Sequence, residues 1–149
     1  MDYGGGVRIF VCASRSSYGA VARVREELER LGHVTTLPNN YDDPSREDRI
    51  RAEGKDAYRE WKASMLRMQI EKVQANDAVV VVNADKGSDR NYIGGATLLE
   101  LFKAWELGKR VYLLNPIPEN AFGDEIAAMQ PEVLHGDLSA IGWLSGAAP

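Results

Sequence analysis

The segment NYIGGATLLELF, running from Asn91 to Phe102, brings two glycines, a threonine and a glutamate into one short stretch. Gly94 and Gly95 remove two side chains immediately before an apolar helix, so that a ligand can approach the backbone there. Thr97 and Glu100 have the T-x-x-E spacing of a capping box, in which the glutamate bonds back to the Thr97 N–H. The same position suits a nucleophile, because a helix N-terminus favours the anionic form of a carboxyl. An ionised carboxylate can attack a sugar carbon. Spacing alone leaves both roles open for Glu100.

A second segment, ASRSSYG, offers Ser14, Arg15, Ser16 and Ser17 beside a helix N-terminus. Hydroxyls, a guanidinium and backbone N–H groups at such a point suit a phosphate or another anion. The alternative is a serine N-cap followed by a surface arginine, since neither GxxxxGK[ST] nor GxGxxG is present. The loop NADKGSDRNYIGGAT is longer than a connection requires. Its Asn83 and Asp85 lie just past a strand end, where side chains can turn into a crevice. His33 and His135 have no second ligand at metal spacing, so no metal and no cofactor is expected. Cys12 ends an apolar run and reads as a small core residue. Trp61, Trp105 and Trp143 read as core or interface residues rather than stacking platforms.

These residues need elements to hold them. Val7 to Cys12 reads as a first strand, and Ser16 or Ser17 caps a helix with Val21, Val24, Leu28 and Leu31 on one face. Gly32 stops it, and HVTTL is a short second strand. PNNYDDPSREDR is polar and turn-rich, a loop or lid whose Tyr41 can close over a base. A long helix follows from about Gly54 to Asn76, with Tyr58, Trp61, Met65 and Met68 on one stripe and Leu66, Ile70 and Val73 beside it. DAVVVVN has the continuous aliphatic character of a strand buried on both faces. A helix over Thr97–Leu107 carries Leu98, Leu101, Phe102 and Trp105 on one side. RVYLLN is another buried strand, Glu125–Met129 a short helix, and EVLHGDLSAIGWL a short strand with a terminal turn or helix. Strands alternating with helices predict an α/β protein: a single-domain, three-layer Rossmann-like (flavodoxin-like) parallel sheet of about five strands. The domain spans 1–149, with 1–6 expected to be flexible. The loops after the first, third and fourth strands should converge on one crevice.

Composition narrows the partners. A length of 149 residues, 44% apolar and 27% charged, fits one compact domain with a core of its own. A formal net charge of -4 leaves no basic stripe for a nucleic-acid backbone. The lone cysteine cannot close an internal disulfide, and MDYGGGVRIF lacks the basic and apolar regions of a signal peptide. The longest aliphatic run, Ala78 to Val82, is too short to cross a bilayer. A cytoplasmic protein without membrane or nucleic-acid partners is the expectation.

NDAVVVVNAD, GGATLLELFKAWELGKRVYLLN and RIFVCASRS together resemble the nucleoside 2-deoxyribosyltransferase superfamily. That family has an aliphatic strand, an acidic or Asn-bearing loop, G-[ST]-x-x-E-[LI]-G, a helix, GK and another strand. RIFVCASRS is similar to the first strand and nucleotide-contacting loop of the related deoxynucleoside 5'-monophosphate N-glycosidases. The resemblance implies that Glu100 attacks the anomeric C1' and expels the base, with Thr97 in the small hydroxyl position before it. It implies a 5'-phosphate at Ser14 and Arg15, a base walled by Tyr92 and Ile93, and a base edge or sugar hydroxyl on Asn83 or Asp85. The implied partner is a small-molecule nucleoside or nucleotide, and the implied assembly is a homodimer through the Met/Trp stripe of the long helix. The departures are Ala96 and Phe102 in place of motif glycines, and Gly94 where many members have an aspartate. Gln69 stands where the family carries an aspartate on the long helix. Glu71, the nearest acid, is about 200° away around that helix. A non-catalytic nucleotide-binding or sensing module is the alternative.

Overall fold

The computed structural model describes residues 6–142; the expectations for residues 1–5 and for Trp143 fall outside that span. Five parallel strands form one sheet in the order β2-β1-β3-β4-β5. They are β1 (Arg8–Cys12), β2 (Val34–Thr36), β3 (Ala78–Val81), β4 (Arg110–Leu113) and β5 (Glu132–Val133). Between them run α1 (Tyr18–Arg30), α2 (Arg46–Ala52), α3 (Lys55–Gln74), α4 (Gly95–Glu106) and α5 (Gly123–Ala128). Doubly wound α/β topology is therefore the observed architecture, with the strand order reversing between β1 and β3.

The central strands are apolar throughout because both of their faces are covered. Every residue of β3 is buried, as are Ile9 to Cys12 of β1. Alternation divides them between two cores. Val7, Ile9, Val11, Val80 and Val82 meet Val21, Val24 and Leu28 of α1. Phe10, Cys12, Val79 and Val81 meet Val73 of α3, Leu101 and Ala104 of α4, and Ile126 of α5. Each fully buried side chain of this size stabilises the fold by about 1.5–3 kcal/mol. Register locks the layers, Phe10 opposite Val79 and Val79 opposite Val111, since a slip of one residue would exchange the cores.

Three sequence expectations change. The segment read as loop contains α2, a two-turn helix with no buried residue and therefore no apolar period to reveal it. Ion pairs hold it instead, Arg51 to Glu47 within the helix and Arg49 to Asp43 before it. α4 begins at Gly95 rather than Thr97, with Gly94 at the N-cap. Phe102 and Trp105, expected on the inward side of α4 with Leu101, are about half exposed, at 46% and 47%. Among the described residues no helix is long and apolar enough to cross a membrane.

Candidate functional site

At the switch point between β1 and β3 the sheet opens into a crevice of about 340 Å³. The turn after β1 supplies Ser14, Arg15 and Ser16, and the loop before α4 supplies Tyr92, Gly94 and Gly95. Thr97 and Glu100 of α4 line it as well. Eight of the eleven candidate residues thus meet in one place. The other three lie elsewhere, each for a local reason. Asn83 is fully buried and stitches β3 to β4: its Nδ2 donates to the Asn115 and Pro116 carbonyls at 3.0 Å, and its Oδ1 accepts from the Asn115 N–H at 2.9 Å. Asp85 accepts from the Asn91 N–H at 2.8 Å and braces its own loop. Ser17 is buried and accepts from the Ala84 N–H at 3.2 Å. Ile93, a candidate wall for the base, is fully buried in the core instead. The loop after β4 does not reach this crevice; it lines a separate cleft with Ser88 to Asn91.

Two hydroxyls hinge the site together. Ser14 Oγ accepts from the Gly94 N–H at 2.9 Å and lies 3.4 Å from Thr97 Oγ1. A methyl group on Gly94 would come within 2.9 Å of that oxygen and 3.3 Å of the Tyr92 hydroxyl, so glycine is required for close packing. Gly95 differs. A methyl group there would meet nothing, because that position faces the open crevice.

Glu100 is not a cap. With α4 starting at Gly95, Thr97 sits inside the first turn and Glu100 a turn further on, 6% exposed at the crevice floor. Burial pushes its pKa up to about 8, against the opposing pull of Lys72, the Cys12 thiol and Lys62. The helix terminus was expected to keep this carboxyl anionic; desolvation outweighs it, so the carboxyl is mostly neutral at pH 7. The neighbouring Tyr18 phenol is pushed up to about 12 by burial and by Glu100 and Glu47. The Cys12 thiol, fully buried, is raised well above its ordinary value by the same burial and by Glu100.

Gln69 also lines the crevice, but its Nε2 donates to the Ala96 carbonyl at 2.9 Å, tying α3 to α4. Arg15 reaches across to α2 and pairs with Asp48 at 2.8 Å. Sequence reasoning missed Glu47, Lys62, Met65 and Asn39, all of which line the crevice, and read Trp61 as a core or interface residue. Trp61, Met65 and Gln69 follow at intervals of four, so one stripe of α3 faces the crevice. That stripe was legible as a face; its destination was not. Among the described residues no group of three His, Cys, Asp or Glu converges as a metal set. His33 instead accepts from the Val7 N–H at 3.0 Å through Nδ1.

Comparison with family models, with curated proteins and with solved structures found no match to this chain.

Proposed function

We propose that the crevice breaks or exchanges the N-glycosidic bond of a nucleoside or nucleoside 5'-monophosphate, with Glu100 acting at the anomeric carbon. The observation that carries this reading is a buried carboxyl on the floor of a crevice that has hydroxyls, a guanidinium and a helix start at one end and aromatic side chains on its walls. The phosphate lies at Ser14, Arg15 and Ser16, where the chain turns into α1. Tyr92 and Trp61 supply flat apolar surface for a base. The Glu100 carboxylate forms a bond to C1' while the C1'–N bond breaks, and its electron pair leaves with the base, which takes a proton from water. Water or a second base then attacks C1' and releases Glu100 as a carboxylate. Because Glu100 titrates near 8, this step quickens with pH up to that value.

A second reading has its own support. Gln69 cannot protonate a leaving base, and a neutral Glu100 is a good hydrogen-bond partner for a sugar hydroxyl. On that reading the crevice binds or senses a nucleotide without cleaving it. Self-association accompanies either reading. Ile70 of α3 stands exposed beside Leu99 and Phe102 of α4, with Trp105 packed against Phe102, an apolar face that a second copy would cover. Sedimentation of the purified chain tests that part.

Chromatography of free base decides between the two readings, with wild type and Glu100→Gln incubated with ribo- and deoxynucleosides and their monophosphates. Release by wild type alone supports cleavage. Thermal stabilisation by a nucleotide without release supports the sensor. Neither effect, with or without an added acceptor base, removes both readings.

A further inference from the structure

Two hydrogen-bonding atoms in the crevice wall have no partner among the described residues. Three buried side-chain polar atoms are left in that state, Arg25 Nε, Asn39 Oδ1 and Trp61 Nε1. Asn39 and Trp61 both line the crevice. The Asn39 amide is fixed in direction. Its Nδ2 donates to the Met65 carbonyl at 3.0 Å, and its backbone carbonyl accepts from the Tyr18 hydroxyl at 2.8 Å. Turning the amide over would set Oδ1 against the Met65 carbonyl, acceptor against acceptor. Trp61 lies one helical turn before Met65, about 6 Å along α3, so the acceptor and the donor belong to one wall. Buried without partners, both forfeit the hydrogen bonds they make in the unfolded chain. Folded proteins leave few such groups, and two in one crevice point to a partner from outside the chain.

We propose that Asn39 and Trp61 are the specificity-determining residues of this crevice: Asn39 Oδ1 accepts from, and Trp61 Nε1 donates to, a part of the bound nucleotide that carries a donor and an acceptor together. This rests on the reading of the crevice as a nucleotide site, whether it cleaves or only binds. Ser14 is bonded to the Gly94 N–H and Gln69 to the Ala96 carbonyl, so both mark the start of α4. From Gln69, Met65 and Trp61 lie one and two turns back along α3, about 6 and 12 Å. An anionic group at Ser14 and Arg15 therefore leaves the uncharged part of the ligand to meet this wall. That part supplies what the wall lacks. A sugar hydroxyl donates and accepts through one atom, and the edge of a base sets donors beside acceptors. Trp61 thus meets the ligand with its edge as well as its face. Both orphan atoms are closed to solvent, so seating the ligand turns the amide or the indole outward. A ligand without the matching group leaves them unpaired after that turn and is rejected.

The test follows the Trp61 indole N–H of the full chain by ¹H–¹⁵N NMR, the resonance being identified by its absence from Trp61→Phe. If that variant does not fold, Trp105→Phe and Trp143→Phe identify the remaining indoles and leave that of Trp61. The probes are the common ribonucleoside 5'-monophosphates. The tightest binder is then compared with analogues that lack one donor of the base edge, the 2'-hydroxyl or the 3'-hydroxyl. That binder should move the Trp61 resonance downfield, as a new acceptor does, and Asn39→Leu should weaken its binding about tenfold. One analogue should bind wild type about tenfold more weakly than its parent and lose no further affinity in Asn39→Leu, a pattern that a merely structural Asn39 does not give. The base analogue in that role assigns the wall to the base edge; a deoxy analogue assigns it to the sugar. Equal losses in Asn39→Leu for the parent and every analogue overturn the proposal. Thermal stabilisation by a monophosphate with an unmoved Trp61 resonance also overturns it and leaves the nucleotide reading standing. A moved resonance with no base release from wild type keeps the proposal and removes the cleavage reading instead. Neither stabilisation nor a moved resonance with any probe overturns the proposal together with the nucleotide reading.

Discussion

The two faces of the sheet are built to different rules. The face under α1 buries Val21, Val24 and Leu28 against Val7, Ile9, Val11 and Val80, apolar against apolar. The face under α3 and α4 admits Gln69 and Glu100 among Phe10, Cys12 and Leu101. A carboxyl in a core forfeits hydration that apolar side chains never had. The first face is what a fold needs; the second keeps chemistry at a cost in stability. The difference between them can be broken by substitution.

The largest effect belongs to Glu100→Gln. Base release should fall at least about a thousandfold, the scale of losing a nucleophile, as read by chromatography. The same variant should be more stable than wild type in alkali. Burial lifts the folded pKa from 4.5 to about 8, so the folded state holds a proton that the unfolded chain has lost. That stabilisation is full below about 4.5 and is lost as pH rises through 8. Glu100→Gln stays neutral and should gain on wild type by a few kcal/mol, order of magnitude, between about pH 5 and 9 in denaturant titrations. Equal pH dependence in the two proteins would contradict the placement of Glu100.

The next effect compares the faces directly. Leu28→Ala and Leu101→Ala remove side chains that are both fully buried, and each should cost about 2–5 kcal/mol. Only Leu101→Ala should also shift the Glu100 midpoint, since water entering that cavity lowers the desolvation that raises it. A smaller contrast lies in the adjacent glycines. Gly94→Ala forces a methyl against Ser14 Oγ and should destabilise the fold by about 1–3 kcal/mol. Gly95→Ala should leave unfolding unchanged and weaken ligand-induced stabilisation, because its methyl enters the crevice. The smallest effect is at the rim. Asp48→Asn removes the partner of Arg15 in a solvent-exposed pair, with no measurable change in thermal unfolding expected. It should tighten the binding of phosphate-bearing nucleotides, which no longer compete with Asp48.

What was legible in the sequence follows from this division. Strands covered on both sides must be aliphatic, so DAVVVVN and RIFVC were readable, and with them the parallel sheet. The crevice loops were readable as well, since Ser14, Arg15 and Gly94 follow strand ends in an alternating pattern. α2 was not, because no apolar residue in REDRIRA repeats at a helical interval. Asn83 and Asp85 misled because a polar side chain past a strand end has two uses, and theirs is to satisfy backbone groups of the neighbouring loop and strand. The T-x-x-E spacing misled because a capping box depends on where the helix begins. Two extra residues at the start of α4 moved Glu100 inward and reversed the effect on its charge.

α2 has no buried residue; its Glu47 lines the crevice and its Asp48 pairs with Arg15 at the rim. At about 1 M salt the screening length shrinks to roughly 3 Å, and contacts of that kind lose most of their attraction. Packing on the floor around Glu100 is indifferent to salt. Ionic strength should therefore loosen the Arg15–Asp48 pair at the rim while the carboxyl below keeps its titration.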